Sequence, residues 1–280
     1  MMKRYRREIT TALILLVFLI GCGLLAYPTF SDWWNSFHQS RTIMQYSQAI
    51  ANLNQEEYDR VWSEAIRYNE DMARDGIDWL MDEEQRKRYY KELDFAGNGT
   101  MGYVNIPKIN VMLPVYHGTD DGILQTSIGH LEQTSLPVGG ETAHSVLSGH
   151  RGLPSAKLFS ELDALAEGDR FTLHILDQVL TYEVDRIRIV EPSDFSKISL
   201  EKGKDYCTLL TCTPYSVNTH RLLVRGHRVA NDKDDKNIRI TADAMQIDTI
   251  YVAPFVAAPV LLILFMFMML AAPGPSKKTW

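Results

Sequence analysis

Two long apolar runs, one near each end of the chain, set the first constraint on what this sequence can fold into. The first extends from about Ile9 to Tyr27 and the second from about Ile250 to Ala272. Each is about 20 residues long, the length that crosses the hydrocarbon core of a bilayer as a helix. Lys3, Arg4, Arg6 and Arg7 precede the first run, and Lys277 and Lys278 follow the second. Basic residues are retained on the cytoplasmic side. Both termini are therefore expected in the cytoplasm, with the chain crossing the cell membrane twice and the central region outside.

Two other readings compete for the first run. A cleaved signal peptide would have a shorter apolar core and a small-x-small site. A lipoprotein signal is the more serious rival, because Leu19-Ile20-Gly21-Cys22 resembles a lipobox and would leave Cys22 lipidated. The second run contains Pro254 and Pro259, which a membrane helix tolerates near an end.

The region between the runs has room for one compact domain and an extra element. The net charge of -6 and the lack of a basic stripe with interleaved aromatics leave no electrostatic footprint for nucleic acid. The three cysteines, Cys22, Cys207 and Cys212, do not make a disulfide framework. Cys207 and Cys212 are an odd distance apart in what reads as one strand, so their side chains face opposite ways. No CxxC pair is present and the histidines lack ligand spacing, so no metal or other cofactor is expected.

From about Ser36 to Asp75 the spacing of Ile43, Tyr46, Ile50 and Leu53 predicts one helix face. Asn54 with Glu57 three residues later reads as an N-cap with a reciprocal acidic partner, opening a second helix through Tyr58, Val61, Trp62, Ala65 and Tyr68. The charged run Asp82 to Arg88 and the turn at Gly97-Asn98-Gly99 read as a linker or overlying loop. After Met101 the texture changes to short β-branched runs: Gly102–Ile106, Val111–Tyr116, Ser145–Leu147, Arg170–Leu176, Val179–Val190, Tyr206–Leu210 and Arg221–Val229. One helical insert is expected near Ser155 to Leu165. The fold class is mainly β, a closed barrel over residues 101–246. It follows a membrane segment at 1–35 and a helical region at 36–100, and a second membrane segment occupies 247–280.

Chemistry concentrates at three places. Thr208-Leu209-Leu210-Thr211-Cys212 puts a thiol at the end of an apolar strand. A polar turn leads to His220-Arg221-Leu222-Leu223-Val224-Arg225-Gly226, so two neighbouring strands would bring Cys212 and Arg221 together. A free thiol, with a pKa of roughly 8.5, needs a base or a cationic setting to act as a nucleophile. His150, in Ser148-Gly149-His150-Arg151-Gly152, is the candidate base, with His144 and His220 as rivals. Arg221 is the candidate donor to an oxyanion, with Arg225, on the same strand face, as the alternative.

These elements resemble the sortase family. Thr208-Leu209-Leu210-Thr211-Cys212 is similar to its Thr-Leu-x-Thr-Cys signature, and the Gly-His-Arg-Gly and Asn-x-His-Arg-Leu-x-x-Arg-Gly stretches resemble its histidine and arginine motifs, in the same order. Tyr116-His117-Gly118-Thr119, Gly149 to Pro154 and the second apolar run resemble the class C, pilus-building group. The resemblance implies an eight-stranded barrel with short helices and an N-terminal lid region. It implies a nucleophile at Cys212, an acid/base at His150 and a charge stabiliser at Arg221. The implied partners are pilin subunits bearing a Leu-Pro-x-Thr-Gly-like sorting signal, with a pilin lysine as acceptor. The family's Asp-Pro-aromatic lid motif is replaced here by Asp75-Gly76-Ile77-Asp78-Trp79, without the proline, which leaves Asp78 and Trp79 as the candidate lid residues.

The rival functions are a housekeeping sortase anchoring proteins to the cell wall, a cysteine hydrolase, a non-catalytic peptide-binding scaffold for pilus assembly, and a metal-binding sensor.

Overall fold

The computed structural model describes residues 2–231 and residue 262. The expected second membrane span, apart from that one residue, lies outside the described residues. The described residues of the chain fall into two units that divide between Ala26 and Tyr27.

Helix α1 runs over Met2–Asn52, so the boundary expected near residue 35 falls inside it. The apolar stretch of α1 leaves side chains such as Leu13, Val17 and Leu24 exposed, and by length and composition, at a mean hydropathy of 2.6, it suffices to cross a membrane.

In the larger unit, the last turns of α1 bury Ile43 and Tyr46. The Tyr46 hydroxyl donates to the Met101 carbonyl at 2.8 Å and accepts from the Leu176 amide at 2.8 Å, tying the helix to two separate segments of the chain. Helix α2 (Gln55–Asp75) opens on the expected cap: the Glu57 amide donates to Asn54 Oδ1 at 2.9 Å, and the Asn54 amide donates back to Glu57 Oε2 at 3.3 Å. Its inner face carries Val61, Ala65 and Tyr68. The charged run read as a linker instead forms α3 (Glu83–Tyr89), opened by a second capping box between Asp82 and Gln85. Residues 83–88 are exposed and only Tyr89 is buried, so the helix shows no apolar period to read.

Eight strands close a barrel in the order β1-β2-β3-β4-β7-β8-β6-β5. They are β1 (Thr100–Ile106), β2 (Val111–His117), β3 (Ile128–His130), β4 (Ala143–Ser148), β5 (Arg170–Ile175), β6 (Gln178–Val190), β7 (Asp205–Thr213) and β8 (His220–Val229). The pairs β2–β3 and β4–β7 are parallel and the others antiparallel. A four-residue helix, α4 (Asp121–Leu124), precedes β3. Closure removes the free edges of the sheet, and alternate residues of each strand fill the interior. Phe171, Leu173, Tyr182, Cys207, Leu209, Leu222 and Val224 are all buried there. Gly226 is forced by this packing: a Cβ would lie 2.8 Å from the Phe171 ring and 2.9 Å from Tyr182 Cβ.

The helix expected over Ser155 to Leu165 does not form. Only a single 3-10 turn, Leu162–Ala164, is present. Leu158, Phe159, Leu162 and Leu165 are buried, so the apolar spacing is real, but it belongs to a loop laid on the core. Leu158 has a left-handed φ of 39°, which a continuous helix excludes.

Candidate active site

The strands β7 and β8 pair so that Cys212 stands opposite Arg221 and Leu210 opposite Leu223. Cys207 and Leu209 point into the core, so the alternation puts Leu210 and Cys212 on the outer face. The same rule puts Arg221 and Leu223 on that face, because Leu222 and Val224 are interior. Cys212 is a half-buried free thiol one residue from the end of its strand, whereas Cys207 is a fully buried one. Burial pushes the Cys207 thiol well above the ordinary range, which leaves it inert.

His150 is brought to the same place by the parallel neighbour. In the β4–β7 ladder Ser148 stands beside Leu210, so two residues further on His150 reaches the level of Cys212. Three hydrogen bonds fix this join. The Gly149 amide donates to the Leu210 carbonyl at 3.1 Å, the Thr211 hydroxyl to the Gly149 carbonyl at 2.7 Å, and Arg151 Nη1 to the Thr213 hydroxyl at 3.2 Å. Arg151, which sequence reasoning left without a role, also pairs with Asp163 and lies over the Tyr215 ring. Gly149 permits the close approach: a Cβ would lie 2.8 Å from both Ile128 and Phe159.

The rivals sit elsewhere in the hydrogen-bond network. The buried His144 ring faces the Ser199 carbonyl through Nδ1 at 3.0 Å and the Thr208 hydroxyl through Nε2 at 2.7 Å. A carbonyl only accepts, so Nδ1 carries the proton and Nε2 accepts from Thr208. Burial lowers its pKa to about 4, which keeps it neutral. Arg225 is 8% exposed and bound to Asp185 and Glu201. His220 lies 3.3 Å from Glu191 and 2.9 Å from Thr219 Oγ1. Among the described residues the His150 ring has no such partner, and Arg221 meets no carboxylate. The Arg221 Nη1 donates only to backbone carbonyls of its own turn, Asn218 at 3.3 Å and His220 at 3.1 Å. A guanidinium held in this way keeps donors available for an incoming charge.

A second, smaller apolar cluster lies on the outer face: Val146, Val190, Ile198 and Leu223, bordered by Leu131 and Leu210. The segment after α2 covers it, with Ile77 and Trp79 packed in. The Trp79 ring meets that of Phe195 at 4.6 Å between centroids. Asp78 is exposed, and its carboxylate accepts from the Leu80 amide at 2.9 Å and Gln85 Nε2 at 3.2 Å. The structure thus places Trp79 on the same outer face as the thiol, one pleat along, and Asp78 at the start of the α3 cap.

No group of three or more metal-ligating side chains occurs among the described residues. A free thiol opposite a guanidinium that meets no carboxylate, with an unengaged imidazole on the neighbouring strand's extension, suits acyl transfer through a covalent intermediate.

A family model described as the sortase domain matches residues 104–229. Over 131 residues the chain is 35% identical to sortase D of Bacillus subtilis, a match covering 46% of this chain and 63% of that protein. Among solved structures, sortase C1 of Streptococcus agalactiae is 53% identical with a TM-score of 0.68, covering 69% of this chain and 100% of that one. Sortase C of Streptococcus pneumoniae, whose structure bears on catalysis and pilin substrate specificity, is 42% identical with a TM-score of 0.60, covering 68% of this chain and 97% of that one.

Proposed function

The chain belongs to the sortase family of cysteine transpeptidases, and on that premise we propose that it is a membrane-anchored, class C enzyme that joins pilin subunits. The observation that carries this reading is the pairing of Cys212 with Arg221 across β7 and β8, with His150 two residues beyond the Ser148–Leu210 pair of β4 and β7. The Cys212 thiolate attacks the Thr carbonyl of a Leu-Pro-x-Thr-Gly-like signal. The tetrahedral oxyanion forms where Arg221 can donate to it, an interaction stronger in the transition state than in the ground state. His150 gives a proton to the departing Gly amine as the C–N bond breaks, leaving a thioester on Cys212. A pilin lysine amine then attacks the thioester and His150 takes its proton. The thiolate leaves, and an isopeptide bond remains.

The catalytic unit is residues 101–246, and the region 36–100 supplies the lid. The packing of Trp79 against the cluster beside Leu210 and Leu223 supports a cleft that is covered at rest. For the anchor, the apolar stretch of α1 is one span and the run from about Ile250 to Ala272 the other, with both termini cytoplasmic and the catalytic unit outside the cell.

The test uses the full chain in detergent with a sorting-signal peptide and a second peptide carrying one lysine. A product joined through the lysine side chain, with release of the Gly-terminal fragment, is expected. Release of that fragment with only the free acid formed would contradict the amine-acceptor step and leave a hydrolase.

A further inference from the structure

The connection between β6 and β7, residues 191–204, contributes Phe195 to the Trp79 contact and Ile198 to the outer apolar cluster. It contains no strand or helix, so ties to the barrel must set its position. One group of them gathers around a buried side chain. Arg225 donates through Nε to Asp185 Oδ1 at 3.0 Å and through Nη2 to Oδ2 at 2.7 Å. Its Nη1 reaches Glu201 Oε1 at 3.4 Å, and its guanidinium lies 3.9 Å from the centroid of the Tyr206 ring. The Tyr206 hydroxyl closes the ring of contacts, donating to Glu201 Oε2 at 3.0 Å.

The two carboxylates come from different parts of the molecule. Asp185 belongs to the barrel, at a register shift in β6 between Val184 and Arg186. A bulge of this kind re-aims a side chain, and here it turns Asp185 onto the outer face beside Arg225. Glu201 belongs to the connection. One guanidinium therefore bridges barrel and connection, reaching the latter through Glu201, and the connection is also held by the His144 bond to the Ser199 carbonyl, by the Gly203 amide on Thr142 Oγ1 at 3.2 Å and by the Ala143 amide on the Lys204 carbonyl at 3.0 Å. Stability alone does not call for this arrangement, because an apolar side chain in a covered position packs as well as a buried ion pair. A planar fork between two carboxylates does fix orientation.

We infer that Arg225 is a positioning residue: through Asp185, Glu201 and Tyr206 it holds the 191–204 connection so that Phe195 and Ile198 form a wall of the cleft leading to Cys212. Its consequence for substrate rests on the sortase reading, but the mechanical part does not. Releasing the clamp loosens peptide binding and leaves the chemistry at Cys212 in place, so KM rises while kcat holds.

The experiment compares Arg225→Met, Arg225→Lys and Glu201→Gln in the full chain carrying Trp79→Ala, in detergent. Hydrogen exchange is read over 191–204 and over β1 and β5, and kcat and KM are read for a sorting-signal peptide. Arg225→Met should speed exchange in 191–204 by at least about tenfold with β1 and β5 unchanged, and raise KM about tenfold with kcat within about twofold. Arg225→Lys should recover part of both, and Glu201→Gln should show the same pattern at about a third of the size. Unchanged exchange in 191–204 for Arg225→Met would overturn the clamp whatever the activity. Faster exchange with unchanged KM would overturn its link to substrate. If Arg225→Met loosens the whole barrel, Glu201→Gln decides, and unchanged exchange there refutes the proposal. A parent that cleaves no peptide refutes the sortase reading together with the inferred link to substrate, while the exchange arm still decides the clamp.

Discussion

The outer face of β4, β7 and β8 carries two similar sets of side chains, four residues apart along the β7–β8 pair. At one end are His150, Cys212 and Arg221; further along are His144, Thr208 and Arg225, with Thr208 opposite Arg225 as Cys212 is opposite Arg221. The second set is saturated. Both His144 nitrogens are bonded, and Arg225 holds two carboxylates. The first set is left open, with Arg221 bound only to carbonyls of its own turn. Residue type and strand position are alike, so what separates structure from chemistry is partnership and burial. A fully satisfied network specifies a unique packing; a reactive site must leave donors and acceptors for what arrives.

The comparison can be broken most forcefully at its open end. Cys212→Ala should abolish peptide cleavage, and Arg221→Ala should lower kcat/KM by about 10²–10³-fold, the scale of a lost oxyanion donor. Steady-state kinetics on the full chain check both. Arg221→Ala activity within a few-fold of the parent would mean that the two arginines had been assigned the wrong way round.

The saturated end should instead control acid stability. Burial holds the His144 pKa at about 4, below the ordinary value of 6.5 for histidine. Between these values the unfolded chain binds more protons at this site than the folded one, so stability falls as pH falls through that window. By pH 5 the loss from this one group is about 2 kcal/mol. His130, held at about 3 by burial, acts in the same direction. Burial raises Asp205 and Glu92, which act in the opposite sense. The wild type minus His144→Gln difference in urea midpoint between pH 7 and 5 isolates His144. A flat difference would show that His144 is not held neutral.

Trp79→Ala should sharpen the contrast by uncovering the open end. A small methanethiosulfonate reagent should modify Cys212 about tenfold faster in the variant, the change expected from removing a weakly held cover. An unchanged rate would assign Trp79 a packing role only. The smallest effect belongs to Cys207→Ala, which should cost about 1 kcal/mol for the lost sulfur in a packed core and leave kcat unchanged. Calorimetry and kinetics on the same preparation separate these two readouts.

Much of this was legible in sequence because it is local. The alternation in Arg170–Leu176 and Val179–Val190, the Asn54–Glu57 cap and the order of the Cys212, His150 and Arg221 motifs depend on neighbours along the chain. Strand β3 was missed because three residues cannot display a period of two. Helix α3 was missed although Asp82 and Gln85 carry a capping-box spacing, a signal that deserved weight over the lack of an apolar face. The motif resemblance favours His150 and Arg221, but the engagement of His144 and Arg225 with other partners was beyond sequence. It depends on Ser199, Asp185 and Glu201, which reach these side chains only through the fold, and in the case of Asp185 only through a bulge.

Cys212, and no other thiol, is expected to carry the acyl group. The direct measurement is mass spectrometry of the full chain bearing Trp79→Ala after incubation with a Leu-Pro-x-Thr-Gly peptide, with the adduct mapped to a residue. The expected result is an acyl-thioester on Cys212, lost in Cys212→Ala and much reduced in Arg221→Ala. A folded protein that forms no adduct, or forms it on Cys22 or Cys207, would contradict it.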